Sequence, residues 1–130
     1  AFTPERRGAA VVEFALTAPV FFLFLLAAFE FGWLNVMRHT ADNAAYEAAR
    51  TAMVPGATVA EATAKANRIL NAVGARSVTI TVTPNPITTA TTQVKVEVDL
   101  PMSNNALVVP KFTKTTVLHS EATLKTERAE

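Results

Sequence analysis

The reactive side chains of this 130-residue chain do not gather into a catalytic set. The two histidines, His39 and His119, fall on different segments, and neither has a neighbouring acid at the spacing of a metal site. Ser77, Ser103 and Ser120 lack the sharp strand-to-helix context of a nucleophile, and the four glycines form no phosphate-cradling loop. With no cysteine, disulfides and thiolate ligands are excluded. Glu97 and Asp99 sit on the polar side of an alternating segment, where charge serves solubility. The expectation is no enzyme, no metal and no cofactor. Two carboxylates stand apart, Glu13 and Glu30, because each interrupts an otherwise apolar run.

That run needs a helix in a membrane. No charge falls between Phe14 and Phe29, and only Glu30 intervenes before Arg38. A spanning helix requires roughly 20 apolar residues at about 1.5 Å each, so the span from Ala9 to Phe29 must include Glu13. An unpaired charge at mid-membrane costs about 2.5 to 3.5 kcal/mol, which makes that carboxylate the feature to explain. Two readings stay open for it. Glu13 either reaches Arg6, Arg7 or headgroup water, or takes a cation from another subunit, such as a free amino terminus. Glu30, near the far end, either marks the water boundary or is neutralised in the same way.

Charge and composition narrow the class. Half the residues are apolar, but they concentrate before Met53, so the hydrophobicity belongs to an anchor and leaves a modest core behind it. Net charge is +1 with no basic run longer than Arg6-Arg7, which gives no electrostatic case for nucleic acid. Those arginines precede the span, so the positive-inside rule keeps the short N-terminal end in the cytoplasm and exports the rest. The first residue is Ala1, so at least an initiator Met is expected to have been removed. A cleavable secretory signal fits less well, because Leu26 stands where a small residue is needed.

Beyond the span the helix runs on into water. Ala41, Ala45 and Ala49 share one face and Ala44, Ala48 and Ala52 another, which admits either a close neighbouring helix or packing on the chain's own sheet. Pro55-Gly56 ends this helix. Thr58 and Glu61 have capping-box spacing, an apolar face follows through Val73, and Gly74 is a suitable terminator, so a second helix is predicted over about 58–73. The period then changes to two, predicting strands over about 77–83, 92–100 and 114–126. Pro101 to Phe112 is too apolar for a plain surface loop. It either folds over one end of the sheet or presents Leu107, Val108, Val109 and Phe112 to a partner. The predicted fold is α+β: a leader-like segment at 1–8, a long transmembrane helix at 9–53 with its membrane part at about 9–33, and a small domain at 54–130 with a second helix and a three-stranded antiparallel sheet.

Gly8-Ala9-Ala10-Val11-Val12-Glu13-Phe14, Pro19 within the apolar run, Glu30-Phe31-Gly32 and Asn43-Ala44-Ala45-Tyr46-Glu47-Ala48-Ala49-Arg50 together resemble the TadE family, pilin-like proteins of tight-adherence (Tad/Flp) type IV pilus systems. The resemblance covers about the first fifty residues. It implies a bacterial minor pilin or pseudopilin in the inner membrane, with an exported C-terminal domain and other pilin-like subunits as partners. It also implies a prepilin peptidase that cuts between Gly8 and Ala9, leaving Glu13 as the fifth residue and able to pair with a neighbour's amino terminus. A chain still carrying Ala1 to Gly8 is then either an unprocessed form or a permanently anchored component.

The expected function is therefore structural: assembly of an adhesive or secretory pilus through helix association, with Glu13, Phe14, Pro19, Glu30 and Gly32 at subunit contacts and Ala41, Ala45, Ala48 and Ala49 packing helices. The alternatives are a membrane-anchored binding module, working through Leu107 to Phe112 and the Thr88–Thr92 turn, or the main subunit of an extracellular filament.

Overall fold

A computed structural model describes residues 4–126; the first part of the leader-like segment and the C-terminal end lie outside the described residues. The order of elements is α1 (Pro4–Ala52), α2 (Val59–Ala72), β1 (Thr79–Thr83), β2 (Gln93–Pro101) and β3 (Val117–Lys125), with a single 3₁₀ turn at Met102–Asn104. The fold is α+β and pilin-like: a long apolar N-terminal helix, a second helix and a three-stranded antiparallel sheet.

The 49 residues of α1 make a rod roughly 70 Å long. Pro4 opens it, where a missing N–H is harmless, and nothing between Pro4 and Ala9 breaks a helix. Arg6, Arg7 and Gly8 therefore belong to its opening turns. Pro19 lies inside the helix without ending it. Two residues earlier, the Thr17 hydroxyl turns back to donate to the Glu13 carbonyl at 2.9 Å, so this polar group is satisfied within the apolar span.

Helix α2 carries its own start and stop signals. Thr58 Oγ1 accepts from the Glu61 N–H at 3.2 Å while Glu61 Oε2 accepts from the Thr58 N–H at 2.9 Å, completing the capping box. At the other end Gly74 has φ of 71°, and the N–H groups of Gly74 and Ala75 donate to Asn71 and Leu70. That double closure needs a residue tolerant of the left-handed region, hence glycine.

The strands pair in the order β1-β2-β3, with Ile80 opposite Val98 and Val98 opposite Ser120. Val94, Val96, Val98 and Leu100 of β2 are fully buried on the inner face. Across from them β3 offers the smaller Ser120 and Ala122, and α1 packs over β2 and β3. Ser120 also ties the layers polarly, its hydroxyl donating to Asp42 Oδ1 of α1 at 2.5 Å.

Both alanine faces of α1 lie in this core. Ala41, Ala44, Ala45, Ala48, Ala49 and Ala52 are completely buried, together with Ala62, Ala66 and Leu70 of α2. Of the two uses open to these faces, packing on the chain's own helix and sheet is the one observed. Methyl side chains let α1 lie close to α2 and the sheet at once, which larger residues would forbid.

Candidate functional site

The first region of interest is the bare part of the rod. Val11, Phe14, Leu16 and Phe24 are all exposed, Phe24 by 72%. An 18-residue window here reaches a mean hydropathy of 2.2 with none of it buried by the rest of the chain, which makes it a candidate membrane span. Glu13 lies exposed within that surface. Among the described residues it enters no ion pair, so Arg6 and Arg7, on the same helix, are not in contact with it. Phe14 and Pro19 share the exposed surface. Gly32 and Gly8 have open space where a Cβ would stand, so no contact within the chain requires glycine at either position.

Glu30 has partners within its own chain. Its Oε1 accepts from the backbone N–H of Phe112 at 2.8 Å and of Thr113 at 2.6 Å, and from the Thr113 hydroxyl at 2.7 Å. Its Oε2 accepts from the Lys111 N–H at 3.3 Å. A carboxylate with two oxygens and about four lone-pair sites can take such a set of donors, and charge-assisted bonds of this kind are stronger than neutral ones. The segment after Pro101 is thus drawn down along α1. The sequence left it either over the sheet or facing a partner; the structure lays it against the rod, with Phe31 and Phe112 stacked at a centroid distance of 6.1 Å.

A second tether holds the base of that segment. Asn105 is 5% exposed. Its Nδ2 donates to the carbonyls of Arg76 and Pro101, both at 2.7 Å, and its Oδ1 accepts from the Arg76 N–H at 2.6 Å. The Asn105 carbonyl accepts from the Trp33 indole at 2.5 Å. One residue thereby joins the turn before β1 and the end of β2 through its side-chain amide, and the rod through its backbone carbonyl. Neither Asn105 nor Trp33 was singled out from the sequence, because their partners lie 29 and 72 residues away.

Leu107, Val108, Val109 and Phe112 are exposed beyond these tethers. On the other loop, the buried Thr91 accepts from the Thr88 N–H at 2.9 Å, so the threonine-rich turn is held by its own side chains.

The outer face of the sheet carries a charge cluster. Glu97 and Glu121 are direct cross-strand partners, an arrangement that repels unless neutralised. Lys95 Nζ lies 2.8 Å from a carboxylate oxygen of each. His119 Nδ1–H donates to Asp99 at 2.6 Å, and its Nε2 lies 3.7 Å from Glu121. Glu121 stands two residues from His119 on the same strand, and antiparallel register adds Asp99, directly opposed to His119, and Glu97 beside it, acids that sequence spacing alone does not bring to the histidine. Donor atoms of Glu97, His119 and Glu121 lie within 4.8 Å of one another, a spacing at which a cation could be held, and the Lys95 ammonium already bridges the two glutamates.

The cluster fixes a pH dependence. The hydrogen bond to Asp99 raises the His119 pKa above its ordinary 6.5, and the Lys95 ammonium lowers that of Glu121 below 4.5. The histidine contribution is complete below pH 6.5 and is lost as pH rises through the folded pKa. The glutamate contribution is complete above 4.5 and is lost as pH falls through its folded value. Stability of the domain is expected to peak between those two ordinary values, and His119→Gln should flatten the alkaline limb in thermal melts taken across pH.

A long exposed apolar rod fused to a compact α+β domain defines the class of pilin-like proteins. A family model described as TadE, TadE-like protein, matches residues 8–50, which is most of α1 and carries every motif of the resemblance drawn from the sequence. The similarity to the TadE-like family is confined to the rod, and the domain behind it lies outside the match. No curated protein and no solved structure matches the chain. The family is a structural one and points to a Tad-pilus-associated protein, anchored in a membrane by its apolar helix and with pilin-like partners.

Proposed function

We propose that this chain is a minor pilin or pseudopilin of a Tad-type pilus, held in the bacterial inner membrane with its N-terminus inside and its α+β domain exported, and recruited laterally into an assembling fibre. The observation that carries this reading is the bare rod with Glu13 set in it. An exposed carboxylate on an apolar surface is costly in lipid and is relieved when a cation from a neighbour meets it. Cleavage between Gly8 and Ala9 by a prepilin peptidase would create such a cation, the new amino terminus, with Glu13 as the fifth residue of the mature chain. Glycine at 8 and 32 supports the reading, since glycine costs a helix about 1 kcal/mol relative to alanine and nothing inside the chain calls for it. The alanine faces of the domain are taken up internally, so the subunit contacts proposed here fall on residues before Trp33.

Intact mass and fibre incorporation test this together. Native protein should begin at Ala9. Glu13→Ala should insert in the membrane normally and enter the sheared fibre fraction about tenfold less or lower, the loss expected when a charge-assisted bond of at least 1.5 kcal/mol is removed. A mass that retains Ala1 together with wild-type incorporation of Glu13→Ala overturns the proposal.

A further inference from the structure

We propose that the loop from Ala106 to Phe112 is a second membrane contact, a finger that dips into the leaflet on the domain's side of the bilayer and is held there by Glu30. This rests on α1 being a membrane anchor and adds a lipid-facing element to it.

Depth is the first reason. Counting about 20 residues of hydrocarbon-spanning helix from Ala10 places the boundary near Phe29. One small cavity of about 100 Å³ is lined from the rod by Leu23 and Leu26 and from the loop by Leu107, Val108 and Val109. Leu26 lies roughly 5 Å and Leu23 roughly 9 Å below Phe29 along the helix. The loop tip therefore reaches the depth at which interfacial apolar groups rest, about 5 to 10 Å. Val109 is 80% exposed and Leu107 61%, on a surface continuous with the exposed Leu23, Leu26 and Phe29 of the span.

At the base of the loop the backbone donors are met within the chain, as irregular backbone approaching hydrocarbon requires, and the N–H groups of Ala106 to Val109 are left to interfacial water and headgroups. Glu30 accepts from three consecutive backbone N–H groups, those of Lys111, Phe112 and Thr113, and Pro110 before them has none to satisfy. The same contacts cover the Glu30 carboxylate. Lys111 sits beside the apolar tip, where a long cationic side chain can extend to headgroup phosphate, and the Trp33 indole lies one helical turn past Glu30, at the level favoured by interfacial tryptophan.

The chain has no cysteine, so single labels are unambiguous. Full-length protein carrying Leu16→Cys, Val109→Cys or Thr89→Cys, each modified with an environment-sensitive fluorophore, is reconstituted in phosphatidylcholine/phosphatidylglycerol vesicles containing lipid-borne quenchers. The expected result is quenching at both 16 and 109, with position 109 answering best to shallow quenchers, and several-fold weaker quenching at 89, on the loop at the opposite end of the sheet. Adding Glu30→Ala should bring position 109 down towards position 89 and leave 16 unchanged. Quenching at 16 with position 109 no different from 89 overturns the finger while the anchor stands, and covers the case where another protein chain occupies the loop. Absence of quenching at 16 as well overturns both. Undiminished quenching at 109 in the Glu30→Ala background overturns the role given to Glu30.

Discussion

Ala48→Leu is expected to lower the unfolding midpoint of the domain by roughly 10–20 °C, the equivalent of about 2–3 kcal/mol for a domain of this size. Ala48 is completely buried, and so are Ala44, Ala45, Ala49 and Ala52 around it on α1. A leucine there adds three carbons to a contact made of methyl groups. Packing at native density has no room for them, so either the helix moves off its neighbours or side chains leave their rotamers. Movement is resisted because the same segment of α1 meets α2 and the sheet, so relief on one side crowds the other. The single tryptophan offers a direct readout: Trp33 lies where the rod meets the loop base, its indole bonded to the Asn105 carbonyl. Asn43→Leu, at an exposed position of the same helix, should stay within about 0.5 kcal/mol of wild type. Equal midpoints for the two variants would mean that α1 is not packed as described.

What the sequence revealed follows the range of the interactions involved. The rod, the Thr58–Glu61 capping box, the Gly74 terminator and the alternation of Val94 to Leu100 are local patterns, each read within a few residues, and all are present in the structure. The fate of the alanine faces was not readable in the same way, since a row of methyl groups suits any close neighbour and only the tertiary arrangement selects one. Glu30 and Asn105 were obscure for a related reason. The Glu30 partners lie 81 to 83 residues away on a loop without periodicity. The cluster around His119 was closer to being visible: Glu97, Asp99, His119 and Glu121 all fall on outward positions of their strands, and choosing the register Asp99 opposite His119 would have brought them together. Hairpin register was the missing step, because a connection longer than a tight turn does not fix it.

The other large effect belongs to Asn105. Asn105→Ala is expected to destabilise the domain by about 2–3 kcal/mol, more than its size implies, because it strands groups that the amide now serves. Its side chain makes three hydrogen bonds at 2.6 to 2.7 Å, and the carbonyls of Arg76 and Pro101 and the N–H of Arg76 would be left to find water in a place that is nearly closed. Asn105→Asp separates the contributions. It keeps an acceptor for the Arg76 N–H, removes both donations from Nδ2 and sets a negative charge against two carbonyl oxygens, so it should be at least as damaging as alanine. Both variants loosen the segment that also bonds Trp33, so the fluorescence of the sole tryptophan should shift to the red before global unfolding. Combining Asn105→Ala with Glu30→Ala probes whether the two tethers hold one body. If the loop is fixed jointly at its base and at Thr113, the double variant should lose less than the sum of the singles, with a coupling of about 0.5 kcal/mol or more. Strict additivity would mean that each tether secures its own local backbone and that the loop between them moves as two independent pieces.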